Sequence, residues 1–243
     1  MVTKAQFKHI QLLADKKYRR EHKQFVVEGE KMVAELLSSS LTIDTLYALP
    51  EWIEANASIH HPNSVVAVTY FELEKMSSFK TPNQVLAIAS MPVWTESSFT
   101  WALLLDGIQD PGNFGSIIRI ADWYGISAVY RTELCADPFN HKVIQASMGS
   151  IFRIPVHSVD PVPFLQQHAD IPKYAAVLQG TDVHNLQSSE KGILMIGNES
   201  KGIQDELLAL SSHRISIPSR GKAESLNAAV ATGILCDVIL SKS

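Results

Sequence analysis

Three short segments of this 243-residue chain bring together glycine, small polar residues and an ionic side chain in patterns suited to holding a ligand. The third in chain order, Ile215–Val230 (ISIPSRGKAESLNAAV), reads as a strand end, a polar loop and an alanine-rich helix. Ser225 and Asn227 fall at the loop-to-helix junction, where backbone N–H groups lack intrahelical partners and short polar side chains are favoured. The first, Leu103–Arg119 (LLLDGIQDPGNFGSIIR), offers Gly112 and Gly115 for a tight turn and Asn113 as donor and acceptor at the loop apex. Its Arg119 carries a guanidinium suited to phosphate or ribose oxygens, although a surface ion pair is the ordinary use of such a residue. The second, Ile193–Gly202 (ILMIGNESKG), brackets Glu199 with two glycines after an apolar strand, which suggests that the backbone itself faces a ligand.

Other chemistries fail by inspection. There is no GxGxxG for a dinucleotide, and Ala223 follows Arg220-Gly221-Lys222 where a P-loop needs Ser or Thr. No GxSxG elbow and no HExxH spacing occur, and His60-His61 beside a proline reads as a surface turn, so metal catalysis is disfavoured. Cys135 and Cys236 stand far apart without a CxxC pattern, which argues against a disulfide framework and for a reducing cytoplasm. The N-terminus lacks an apolar signal core and no apolar run approaches membrane-spanning length, so a soluble intracellular protein is expected. With a net charge of −4, any nucleic-acid contact must come from a local patch. The first 23 residues supply one in Lys4, Lys8, Lys16, Lys17, Arg19, Arg20 and Lys23, opposed only by Asp15 and Glu21; a solvated helix face is the plainer explanation of that run.

The elements that must position these groups follow from periodicity. In the first part, strands at Phe25–Gly29, Leu46–Leu49, Ser64–Val68 and Val85–Ala89 alternate with helices at Lys31–Leu37, Glu51–Ala55 and, capped by Thr69, Glu72–Met76. Met91–Ser98 reads as a linker. Beyond it, strands that are apolar throughout (Trp101–Leu105, Ala128–Tyr130, Ala175–Leu178, Gly192–Ile196 and Arg214–Ile217) indicate a parallel sheet covered on both faces. A helix from Ser116 would set Ile117, Ile120, Ala121 and Tyr124 against it, and another covers Glu206–Leu208. Ligands of such sheets bind beyond the carboxyl ends of the strands, where all three segments lie. The fold class is α/β, with domains at 1–92 and 99–243.

Taken in order, the segments Asp106–Arg119, Ile196–Gly202 and Ile217–Ala229 resemble the three motifs of the SpoU (TrmH-type) branch of the SPOUT superfamily of RNA ribose methyltransferases. Ala146–Arg153 (ASMGSIFR) is similar to the segment between them, and Phe25–Lys31 (FVVEGEK) to the substrate-binding domain of ribosomal-RNA members. The resemblance implies that 99–243 is a domain whose last segment threads a deep trefoil knot, that S-adenosylmethionine is the cofactor, and that the protein works as a homodimer with its site near the interface. It assigns the cofactor to Leu178, Gln179, Gly180, Ile196, Gly197, Asn198, Gly202, Ile217, Leu226 and Ala229, and catalysis or substrate positioning to Asn113, Arg119, Glu199, Ser225 and Asn227. In the family the motif-one arginine is proposed as general base; because a guanidinium stays protonated near neutral pH, Arg119 is expected chiefly to position ribose and phosphate. Asn113 would orient the hydroxyl, with Glu199, Ser225 and Asn227 fixing Arg119 or the loop. Domain 1–92 becomes an RNA-binding domain, with Lys16, Lys17, Arg19, Arg20 and Lys23 as phosphate contacts that add affinity without reading sequence. Methylation of a ribosomal-RNA ribose is the function implied. A transfer-RNA ribose and a non-catalytic assembly factor are the alternatives, the first disfavoured by the separate N-terminal domain and the second by the complete polar set.

Overall fold

A computed structural model describes residues 2–57, 64–96, 98–187 and 189–241, so His60-His61 lies outside the described residues. The chain begins with helices α1 (Lys4–Leu12) and α2 (Lys16–His22), then strand β1 (Gln24–Glu28), α3 (Glu30–Leu37), β2 (Ile43–Ala48), α4 (Pro50–Ala55), β3 (Val65–Ala67), α5 (Tyr70–Met76) and β4 (Val85–Ser90). It continues through β5 (Trp101–Asp106), α6 (Pro111–Trp123), β6 (Ala128–Arg131), α7 (His141–Ser147), β7 (Val156–Ser158), α8 (Pro161–Gln167) and β8 (Lys173–Asp182). β9 (Gly192–Gly197), α9 (Asp205–Ala209), β10 (His213–Ser216) and α10 (Ala228–Leu240) complete it. Two compact units result: 1–93 together with 139–153, and 94–138 together with 154–243. The sequence division at 92 and 99 is contiguous, whereas by packing α7 and its flanks sit with the first unit.

In that first unit side-chain caps start α1, α2 and α5, that of Thr69 where the sequence predicts it. Thr3 and Gln6 form a reciprocal capping box at α1, Thr69 and Glu72 form another at α5, and the Asp15 carboxylate accepts from Lys17 N and Tyr18 N to start α2. The strands form a mixed sheet in the order β1-β4-β2-β3, with β4 antiparallel to β1 and β2, and β2 parallel to β3. Ile10, Leu13, Tyr47, Leu73, Met76, Leu86 and Ile88 pack one of its cores. The buried Glu28 carboxylate is satisfied by Ser77 Oγ at 2.6 Å and by Ser78 N and Oγ at 2.9 and 2.8 Å.

The second unit is built on a six-stranded sheet, β10-β8-β9-β5-β6-β7, parallel at every pairing. Every residue of β5 and β6 is buried, as strands covered on both faces require. α6 begins at Pro111, five residues earlier than the periodicity predicts, because Asp110 caps it by accepting from Asn113 N at 2.7 Å and Pro111 fits the first helical position. Gly112, Asn113 and Gly115 are therefore helical residues and not a loop. Hydrophobic periodicity does not mark β7, α7 or α8. β8 is longer than expected and broken in its pairing with β10. Ala175 lies opposite Arg214, but the next pair is Thr181 with Ile215, so 176–180 bulge out of the ladder.

Candidate functional site

At the carboxyl ends of β5 and β9 two turns are locked together. The Asp106 carboxylate, 3% exposed, accepts from Gln204 N at 2.9 Å and Gln204 Nε2 at 2.7 Å. Asn198 Nδ2 donates to Gly107 O at 2.7 Å, while its Oδ1 accepts from Ser200 N and Lys201 N. Backbone bonds in both directions between Asn198 and Gly202 close the turn, and Gly202 supplies the left-handed backbone (φ 71°) that closure needs. Gly197 is there for close approach: a Cβ would stand 2.3 Å from Gly202 C and 2.4 Å from Ile203 N. That turn holds Glu199 exposed at its tip.

Glu199 then joins the other two segments. Asn113 Nδ2, in the first turn of α6, donates to Glu199 Oε1 at 2.6 Å. Asn227 Nδ2 donates to Asn113 Oδ1 at 2.7 Å, while Asn227 Oδ1 caps α10 by accepting from Ala229 N and Val230 N. Residues 113, 199 and 227 thus form one hydrogen-bonded chain, which fixes the orientation of the Asn113 amide. Each amide hydrogen or carbonyl lone pair used leaves a second one, so Asn113 retains one donor and one acceptor position for a ligand.

The remaining expected residues fall around this chain. Ser225 is exposed and makes no hydrogen bond with any described residue. Arg119 is exposed in the third turn of α6, and nothing among the described residues pairs with it, so Glu199, Ser225 and Asn227 do not hold it within one chain. Spacing of four residues puts it on the α6 face that carries Trp123, which is 83% exposed. Leu178, Gln179 and Gly180 lie on the exposed β8 bulge, and Ser216 Oγ donates to Gly180 O at 2.9 Å. Ile196 and Ala229 are buried, Ile217 is half-buried, and Leu226 is exposed.

The residues present suit an adenosyl group. Leu178 (74% exposed) and Leu226 (47% exposed) offer large apolar side chains on otherwise polar loops, which a flat apolar ligand would cover. Gly180 leaves no room for a side chain, since a Cβ would lie 2.7 Å from Arg214 O, so this part of the bulge presents backbone.

Sequence reasoning misses Asp106, Gln204 and the capping role of Asp110; the only signal is a carboxylate ending an apolar strand and an Asp-Pro pair opening a helix. It also includes Arg19 among exposed cations. Arg19 is 3% exposed, and its Nη1 donates to Leu13 O and Ala14 O, both at 2.7 Å, so this guanidinium turns inward to the end of α1. Lys17, Arg20 and Lys23 are exposed and Lys16 is half-buried. A cavity of about 170 Å³ in the first unit is lined by Arg19, Glu28 and His141 among apolar and uncharged polar residues. Its carboxylate is already bonded to Ser77 and Ser78, and burial lowers the His141 pKa. Among the described residues no cluster of His, Cys, Asp or Glu could hold a metal ion.

Comparison with known proteins agrees with this geometry. The family model described as "SpoU rRNA Methylase family" matches residues 100–237, and that of an MRM3-like substrate binding domain matches 4–87. The 23S rRNA (guanosine(2553)-2'-O)-methyltransferase RlmP of Bacillus subtilis is 33% identical over 92% of this chain and 91% of its own length. A TrmH-family structure from Porphyromonas gingivalis aligns with TM-score 0.92 at 35% identity over the whole of both chains. An AdoMet-bound rRNA methyltransferase from Sinorhizobium meliloti aligns with TM-score 0.86 at 30% identity, covering 98% of this chain and 95% of that one. Three motif segments joined by hydrogen bonds, a fully parallel sheet and full-length similarity lead to one assignment: the chain belongs to the SpoU rRNA methylase family.

Proposed function

We propose that this protein methylates a ribose 2'-hydroxyl of ribosomal RNA, using S-adenosylmethionine and acting as a homodimer in the cytoplasm. One observation carries the reading: the hydrogen-bonded chain Asn227–Asn113–Glu199 joins three segments, distant in sequence, at the carboxyl end of a parallel sheet. S-adenosylmethionine, when bound, supplies an electrophilic methyl group. Leu178, Gln179, Gly180, Ile196, Gly197, Asn198, Gly202, Ile217, Leu226 and Ala229 are the residues assigned to hold it.

The chain's own residues then have to align an oxygen. Asn113, its amide fixed on both sides, uses its remaining donor and acceptor positions to orient the 2'-hydroxyl. Holding the two reactants in register is worth about 7–11 kcal/mol of the barrier. Glu199 Oε2, free of hydrogen bonds from any described residue, is an acceptor beside that amide. Arg119 binds ribose and phosphate as a guanidinium.

Support for the homodimer comes from α6 and α10. Trp123 and Val230 are 83% and 51% exposed on two helices tied by Tyr124 Oη donating to Asp237 Oδ1, and a second copy would cover them. Arg119, one turn before Trp123, would then serve the partner's site, which accounts for its lack of partners within one chain. Residues 1–92 are assigned to RNA binding and 99–243 to methyl transfer, with the last segment threading a knot. Cytoplasmic residence is supported by two unpaired, buried cysteines, whose thiols burial pushes up, that of Cys236 to about 12. The test is transfer of labelled methyl from S-adenosylmethionine to ribosomal RNA from cells lacking the protein, read as a 2'-O-methylated nucleoside. Transfer to a base nitrogen or carbon would refute the reading.

A further inference from the structure

The turn after β6 contains a feature outside the residues assigned above to the cofactor and to the dimer. It runs Thr132-Glu133-Leu134-Cys135, and three of its four residues are tied to their surroundings. Thr132 N donates to Leu105 O, and Thr132 Oγ1 accepts from Gly107 N at 3.1 Å. Glu133 Oε1 accepts from Ser158 Oγ on β7. Cys135 Sγ accepts from Ile108 N and donates to Leu105 O, both at 3.3 Å, and Ala136 N bonds Ile108 O just beyond. The fourth residue, Leu134, is 62% exposed. A turn pinned on both sides cannot withdraw that side chain, so its exposure is built in.

A lone exposed leucine ordinarily means nothing. This one has an address. A Cβ placed on Gly107 would lie 3.9 Å from Leu134 Cβ and 3.7 Å from Asn198 Cβ, so Leu134 and the residue that starts the Glu199 turn both lie against the same glycine. Leu134 thus follows β6 at the carboxyl end of the sheet, the end from which the Glu199 turn leaves β9.

We infer that Leu134 packs against the base of the target nucleoside, holding it out of its stack while the ribose is presented to Asn113. This rests on the proposed function. Where a nucleotide is drawn out of its stack to bring its ribose into a protein site, its base loses a neighbour, and an apolar side chain inserted at a base step can fill that place. A leucine reads no base edge, so it would favour the splayed nucleotide without selecting its identity; selection falls to other contacts.

The experiment compares full-length wild type, Leu134→Ala and Leu134→Met in methyl transfer to ribosomal RNA purified from cells lacking the protein. S-adenosylmethionine affinity, melting temperature and solution mass are measured on each. Leu134→Ala is expected to raise the KM for RNA about five- to tenfold. Its kcat, cofactor affinity and mass should stay as in wild type, and Leu134→Met should recover most of the loss. An unchanged KM for RNA overturns the inference. So does a loss of cofactor affinity or of the dimer, which would make Leu134 part of those contacts, and so does failure of Met to rescue. A wild-type enzyme that transfers no methyl to ribosomal RNA is a distinct result: it removes the function, and this role of Leu134 with it.

Discussion

Asn227 does two separable things, and replacing it by Ser should remove only one. Its Oδ1 caps α10 and its Nδ2 holds Asn113 Oδ1 at 2.7 Å. A serine hydroxyl caps a helix about as well as an asparagine, but is too short to bridge to Asn113 and introduces no charge near Glu199. Asn227→Ala loses both, at a cost of about 0.5–2 kcal/mol for the cap. For a chain of this size that lowers Tm by about 2–4 °C per kcal/mol, whereas Asn227→Ser should melt within a degree or so of wild type. Both variants free the Asn113 amide to rotate, and a misplaced orienting group costs on the order of 100-fold in kcat. The assay is single-turnover methyl transfer beside a thermal melt, with Asn113→Ala and the Asn113→Ala/Asn227→Ser double variant completing a cycle. If Asn227 acts through Asn113, adding Asn227→Ser to Asn113→Ala costs almost nothing further. Wild-type kcat in Asn227→Ser, or losses that multiply in the double variant, would refute the reasoning.

Arg119→Ala should abolish turnover while leaving S-adenosylmethionine affinity nearly intact by calorimetry; loss of cofactor binding instead would reject its substrate-positioning role. Gly197→Ala drives a Cβ into the backbone at Gly202 and Ile203, and should weaken the cofactor about tenfold or more as well as lower Tm. A normal dissociation constant would count against the Glu199 turn as part of the pocket. Neutralising Lys16, Lys17, Arg20 and Lys23 together should weaken RNA binding and flatten its log–log salt dependence by about 0.7–0.9 for each phosphate that is no longer neutralised. Arg19→Ala should lower Tm without touching that slope, because its guanidinium serves the Leu13 and Ala14 carbonyls.

What the sequence makes legible here is what local rules govern. Apolar runs buried on both faces mark β5, β6 and β9, and the Thr69 and Asn227 caps stand where their residue types predict. The short β7 and the proline-started α8 carry too few periodic residues to register. Gly112 and Gly115 suggest a turn and so delay the expected start of α6, yet Asp110 and Pro111 already nucleate the helix. Arg19 resembles its exposed neighbours in every local respect; only the end of α1, whose carbonyls need donors, gives it a buried role. The Asp106–Gln204 clamp spans 98 residues and leaves no periodic trace at all.

Convergence of the three segments follows from strand order. β10, β8, β9 and β5 are consecutive neighbours, and all point the same way, so the segments after β5, β9 and β10 and the bulge in β8 share one rim. The chain leaves β5 towards β6 and β7 and returns on the other side as β8 and then β9, which makes this the switch point where parallel sheets open a crevice. β10 is three strands away from β5, about 14 Å at the usual spacing. The stretch 217–227 that follows it could extend more than twice that far, about 36 Å. Asn227 can therefore reach Asn113 with slack to spare, and that slack leaves exposed Arg220, Lys222 and Ser225 on a loop whose two ends are held, one by the β8–β10 pairing and the other by the Asn227 cap.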